Sequence, residues 1–108
     1  MYIIGGRGTH LGICKLIEII RERNLNISIC GIPKTIDNDI PLIDRSFGFS
    51  TAVQQSIKFI ESAKIEAMSS ENGVGIVRLM GRYCGFISVY SVLASLDVNI
   101  CLIPEIYF

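Results

Sequence analysis

Three short stretches of the chain carry residue types that can do chemistry. The first is Gly5-Gly6-Arg7-Gly8-Thr9-His10-Leu11-Gly12. Glycines let bare backbone N–H groups approach a phosphate, and a helix starting behind them adds roughly half a positive charge. The stretch is neither Gly-x-Gly-x-x-Gly nor the Walker A pattern, so a glycine-rich turn without a ligand stands beside the phosphate-loop reading. The second is Gly31-Ile32-Pro33-Lys34-Thr35-Ile36-Asp37-Asn38-Asp39. Two carboxylates two residues apart, with an amine and a hydroxyl beside them, offer a general base, a metal-facing oxygen and phosphate donors in one place. The plainer reading is an Asx-rich turn in which Asp and Asn bond their own backbone. The third is Arg78-Leu79-Met80-Gly81-Arg82-Tyr83-Cys84-Gly85. A guanidinium beside a glycine can fork onto a phosphate ester, although an arginine in a connector is often only solvated.

The elements that must position these stretches follow from the apolar pattern. Short β-branched runs at Tyr2–Ile4, Ile27–Ile32, Val74–Leu79 and Ile100–Ile103 read as strands. Ile13, Leu16, Ile17 and Ile20 recur at helical spacing and predict a helix over Leu11–Arg23. Thr51 and Gln54 read as a capping box that opens a second helix running to Met68. Phe86, Val89, Tyr90, Leu93 and Leu96 predict a third, entered through Gly85 and left near Asp97. The order βαβαβαβ predicts an α/β fold: a four-stranded parallel sheet with right-handed crossovers and helices on both faces, a Rossmann-like three-layer arrangement. Ligands of such sheets sit outside the carboxyl ends of the strands, where all three stretches fall. One ligand could touch all three, and the chemistry they imply together is phosphoryl transfer, with anions held by glycines and arginines and a carboxylate taking a proton from an attacking hydroxyl.

Composition narrows the alternatives. The 108 residues carry ten Lys+Arg against ten Asp+Glu, with acids and bases scattered, so there is no long-range field to capture nucleic acid or an anionic membrane. A hydrophobic share of 50% beside 19% charged residues argues for a packed core, and for an apolar face that meets more protein. The charge-free run Tyr83–Leu96 is 14 residues, short of the roughly 20 that span a bilayer. No secretory layout opens the chain, so the expected location is cytoplasmic. Cys14, Cys30, Cys84 and Cys101 are far apart, form no Cys-x-x-Cys pair, and are expected to be reduced and mostly buried.

Taken together, Gly-Gly-x-Gly-Thr at Gly5–Thr9, Pro33-Lys34-Thr35-Ile36-Asp37-Asn38-Asp39, Phe47-Gly48-Phe49-Ser50-Thr51-Ala52, Met80-Gly81-Arg82 and Ile103-Pro104-Glu105 resemble the phosphofructokinase family in order and spacing. The resemblance covers essentially the whole chain. A full-length member is several times longer, so residues 1–108 are expected to be a central, partial phosphofructokinase domain. The resemblance implies transfer of the γ-phosphoryl of ATP, with Mg²⁺, to the C1 hydroxyl of fructose 6-phosphate in glycolysis. It also implies a homo-oligomer, dimer or tetramer, under allosteric control. Asp37 would be the general base, with Asp39 supporting it and the metal region. Thr35, Ile36, Asp37, Met80, Gly81 and Arg82 would bind the sugar phosphate; Gly5, Gly6, Arg7, Gly8, Thr9 and Gly12 would line the nucleotide. Glu105 resembles a position associated with an effector-like site and is not counted as catalytic.

Gly8 stands where ATP-using members keep a glycine and pyrophosphate-using ones an aspartate. Lys34 resembles the pyrophosphate enzymes but also an ATP-dependent branch of plants and some protists, and the pair points to that branch. Arg7 departs from the family, which has an Mg²⁺-holding aspartate there. That exchange implies a direct phosphate clamp with impaired transfer, Asp39 being left to hold the ion in part. The alternative is a family member that binds sugar phosphate and nucleotide as a regulatory subunit, or a pyrophosphate-dependent enzyme. Gly73 stands near where bacterial members place an arginine that reaches a neighbouring subunit, so that contact does not carry over.

Overall fold

The computed structural model describes residues 1–107, Phe108 lying outside the described residues. The element order is β1 (Tyr2–Gly5), α1 (Arg7–Glu22), β2 (Cys30–Thr35), β3 (Phe47–Gly48), α2 (Phe49–Met68) and α3 (Phe86–Ser95). The strands lie in the order β1-β2-β3, all parallel, with Gly5 opposite Pro33 and Thr35 opposite Gly48. Parallel neighbours cannot be joined by a tight hairpin, so the chain between β1 and β2 crosses over as α1. That helix buries Ile13 and Ile20 and turns Lys15 and Glu18 outward, where they pair at 2.8 Å.

α1 starts at Arg7, four residues before its expected start. Gly8 and Gly12 each cost a helix about 1 kcal/mol, a penalty tertiary packing overrides. The first turn is closed by His10, whose backbone N–H donates to Gly6 O at 3.1 Å while its ring Nδ1 lies 3.0 Å from the same oxygen. α2 likewise starts early, at Phe49, because that ring is 2% exposed and meets Tyr90 of α3 edge to face at 5.2 Å. The capping box is therefore not made: Gly48 is the N-cap, and Thr51 lies inside the first turn. α3 follows its expected limits, with Gly85 as N-cap and Leu96 left-handed at its end.

The α/β class and the parallel sheet hold, with three strands rather than four. Val74–Leu79 and Ile100–Ile103 form no strand among the described residues, and Phe47–Gly48, expected only as a link, supplies the third. A β-branched run becomes a strand only when a neighbour takes its backbone groups. The 73–76 segment instead lies along α2: a Cβ on Gly75 would sit 2.9 Å from Ala63 O. The buried apolar side chains are Ile13, Ile20, Ile40, Phe49, Ile60 and Ile87. Ser56 of α2 and Ser91 of α3 are buried small side chains, and Ser56 Oγ donates to Ala52 O at 2.8 Å. Among the described residues no helix is long and apolar enough to cross a membrane.

Candidate active site

The parallel register sets the ends of β1 and β2 side by side, so the first two stretches touch. A Cβ on Gly6 would lie 3.5 Å from Thr35 Cβ and 3.7 Å from Lys34 O. Gly5 ends β1, Gly6 makes the turn, and Arg7–Gly12 belong to α1. The first stretch is thus a helix mouth rather than a long loop, and its free donors are the first backbone N–H groups of α1, which receive no side-chain cap. Thr9 does not reach outward: its side chain lies over Gly5, with Oγ1 against the place a Gly5 Cβ would take. Gly8 and Gly12 face open space. Gly12 is about 9 Å along the helix axis from Gly6, at 1.5 Å per residue, which removes it from the mouth.

Asp37 follows β2 and is half-buried. Its backbone N–H donates to Thr35 Oγ1 at 3.2 Å, and its carbonyl accepts from Cys84 Sγ at 3.1 Å. The second bond joins the second and third stretches across 47 residues of chain. The turn that carries Arg82 depends on Gly81, which has φ 133° and would place a Cβ 2.6 Å from Cys84 O. Arg82 itself is exposed. Ile36 and Met80 come together with Arg78 along an open groove of about 240 Å³ floored by Ala52, Gln55 and Ile87. Lys34 is exposed on β2, opposite Phe47. Asp39 is half-buried, with one carboxylate oxygen, Oδ1, fully buried and without a hydrogen-bond partner.

Cys84 is where the charges of the site register. Burial first, then the carboxylates of Asp37, Asp39 and Glu105, push its thiol above the ordinary value, against a backbone hydrogen bond at Phe86 that lowers it. At neutral pH the group is therefore a thiol and can donate to Asp37 O. The expectation of mostly buried cysteines is corrected: all four are free, and Cys14, Cys30 and Cys101 are exposed. Their segments cover no second layer among the described residues, so nothing encloses them.

The succession from Gly6 to Thr35 to Asp37 to the Gly81–Cys84 turn keeps the order and spacing of the quoted motifs, and the family model described as phosphofructokinase matches residues 1–108. The chain belongs to the phosphofructokinase family. It is 58% identical over 105 residues to ATP-dependent 6-phosphofructokinase 1 of Arabidopsis thaliana, covering 97% of this chain and 22% of that protein. Against the ATP-dependent 6-phosphofructokinase of Borreliella burgdorferi the identity is 49% over 108 residues, 100% of this chain and 24% of the relative. The Trypanosoma cruzi ATP-dependent 6-phosphofructokinase is 46% identical over 97% of this chain and 22% of its own length. The chain thus spans between a fifth and a quarter of these relatives.

Within this phosphofructokinase segment two residues join the site, one that sequence reasoning passed over and one that it read as belonging to an effector-like site. Ser46, 5% exposed, sits behind the acidic stretch, one residue before the quoted Phe47-Gly48 phrase; a serine flanked by Arg45 and Phe47 gives no signal of burial. Glu105, set aside from catalysis, accepts a hydrogen bond from Gly85 N–H at 2.7 Å and so caps α3 beside Cys84. The family's magnesium does not fit the residues present. A guanidinium at Arg7 repels a divalent cation from the helix mouth, and the one buried carboxylate oxygen left without a partner among the described residues is Oδ1 of Asp39. No group of three or more His, Cys, Asp or Glu side chains is gathered for a metal among the described residues.

Proposed function

We propose that the protein carrying this segment is an ATP-dependent 6-phosphofructokinase that moves the γ-phosphoryl group of ATP to the C1 hydroxyl of fructose 6-phosphate, giving fructose 1,6-bisphosphate in glycolysis. The observation that carries the reading is the double anchoring of Asp37, its N–H on Thr35 and its carbonyl on Cys84. A carboxylate whose backbone is held at both ends is aimed, which a general base requires. In this reading Asp37 takes the C1 hydroxyl proton. Thr35, Ile36, Met80, Gly81 and Arg82 hold the sugar phosphate, and the N–H groups at the mouth of α1 hold nucleotide phosphates. Open space around Gly8 supports room for ATP, as do the names of the relatives. Cytoplasmic location, a dimer or tetramer and effector control belong to the same proposal. The test is turnover of fructose 6-phosphate with ATP by the full-length protein: Asp37→Ser should abolish it while fructose 6-phosphate still binds, and retained turnover removes Asp37 from the role.

Arg7 favours a second reading. It lies exposed at the first turn of α1 and, among the described residues, forms no ion pair. A cation placed there binds phosphate but anchors no metal, which is the behaviour of a subunit that binds nucleotide and sugar phosphate with little transfer. Nucleotide affinity without turnover in the wild-type protein decides for this reading.

A further inference from the structure

We propose that Asn38 and Ser46 are a positioning pair that locks the Asp37 loop against β2, and that Ser46 is a determinant of turnover although it touches no substrate. Between Thr35 and Ser46 the chain leaves the sheet and returns to it, and a loop of that length is free to wander unless its base is closed. Asn38 sits in the left-handed region, φ 55°, which an Asn adopts more readily than most residues. From there its side chain spans the loop. Asn38 Oδ1 accepts from Ser46 N–H at 2.7 Å and lies 3.1 Å from Ser46 Oγ, while Nδ2 donates to Asp44 O at 3.1 Å. Ser46 Oγ also lies 2.7 Å from Thr35 O, the carbonyl two residues before Asp37.

One buried hydroxyl therefore ties the end of β2 to the start of β3, with Asn38 beside Asp37 as the other half of the clamp. Its burial gives the bond consequence, because losing the hydroxyl leaves Thr35 O short of that donor in a place water reaches poorly, with only the Ser46 N–H bond left on Asn38 Oδ1. The Thr35 hydroxyl that accepts from Asp37 N–H belongs to the residue whose carbonyl Ser46 holds. Releasing the carbonyl loosens the Asp37 backbone at its first anchor. A carboxylate displaced by about 1 Å loses on the order of a hundredfold in rate with binding little changed.

The kinetic half of this assignment rests on the proposed kinase activity; the exchange half does not. In the full-length protein, Ser46→Ala should speed amide hydrogen exchange at residues 35–39 by about tenfold or more relative to α1. Its kcat should fall about ten- to a hundredfold, with KM for fructose 6-phosphate and for ATP held within about threefold. Ser46→Thr, which keeps the hydroxyl, should restore both. Unchanged exchange at residues 35–39 overturns the clamp. Faster exchange with undiminished kcat, or a threonine no better than alanine, overturns the positioning role. If the wild-type protein transfers no phosphoryl group, the kinase reading falls and exchange alone decides the clamp. Should Ser46→Ala fail to fold, Asn38→Gly takes its place, since glycine accepts φ 55° and removes only the side chain.

Discussion

At the scale of single residues, Arg7 makes the largest electrostatic statement. The first turn of α1 contains no acidic residue, and a cation there opposes the positive end of the helix dipole. Arg7→Asp reverses the local charge by two units, so two effects should separate. Helix stability should rise by about 0.3–1 kcal/mol, read as a higher thermal midpoint. Turnover with Mg²⁺ and ATP should rise about tenfold or more if transfer in this protein is held back at the metal; an unchanged rate with intact nucleotide binding assigns the chain to the binding class. Gly81 makes a steric statement instead. Gly81→Ala forces a Cβ into Cys84 O at φ 133°, and should cost about 1–3 kcal/mol; on the proposed function it should also lower the full-length protein's affinity for fructose 6-phosphate by shifting Arg82. Cys84 titrates above the ordinary thiol range, so its contribution to stability is present in full below the unfolded thiol pKa and is lost as pH rises through the folded one. Near pH 8 its alkylation should lag that of the exposed Cys14, Cys30 and Cys101 by about tenfold or more, and equal rates would contradict the burial and charge argument.

At the scale of elements, what positions the site is a set of helix and strand ends. α3 begins where Glu105 accepts from Gly85 N–H, next to the thiol that holds Asp37 O. Glu105→Ala should therefore cost about 1 kcal/mol and fray the first turn of α3, seen as faster exchange at residues 86–89, whereas Glu105→Gln should keep the cap. The helices were legible because each buries one face, and a period of about 3.6 survives whatever the neighbours do. Their starts were not. Leu11 and Thr51 carried the formal signals, but His10 closing on Gly6 O and Phe49 seated on Tyr90 set the first turns. The acidic stretch and the Met80–Arg82 turn were readable as chemistry from their residue types, although only the acidic stretch follows a strand; the strand expected before Met80 does not form among the described residues. The Asn38–Ser46 clamp was invisible, because its bonds depend on a left-handed backbone and on a return path that no local pattern encodes. Strand assignments at Val74–Leu79 and Ile100–Ile103 failed for the complementary reason: a strand is a property of a pair.

At the scale of the whole molecule, shape and surface point the same way. The radius of gyration is 18.9 Å and the extents are 69 × 27 × 16 Å, whereas a compact domain of this length would measure about 13 Å. Apolar side chains line the slab: Ile76 is 89% exposed, Val74 83% and Ile100 76%, all on extended segments whose backbone groups find no sheet partner among the described residues. Unpaired edges beside apolar side chains template association, and the chain spans only 22% of its Arabidopsis relative. Expressed alone, the 108-residue chain should self-associate and bind a hydrophobic dye. Adding Val74→Lys with Ile76→Glu should shift it toward smaller species in size-exclusion chromatography at unchanged helix content, because charge on an edge blocks pairing and both side chains stand out in solvent although their segment lies along α2. A monodisperse wild-type monomer that binds no dye would show that these segments find partners within the chain itself, and the pairing argument would fail with it.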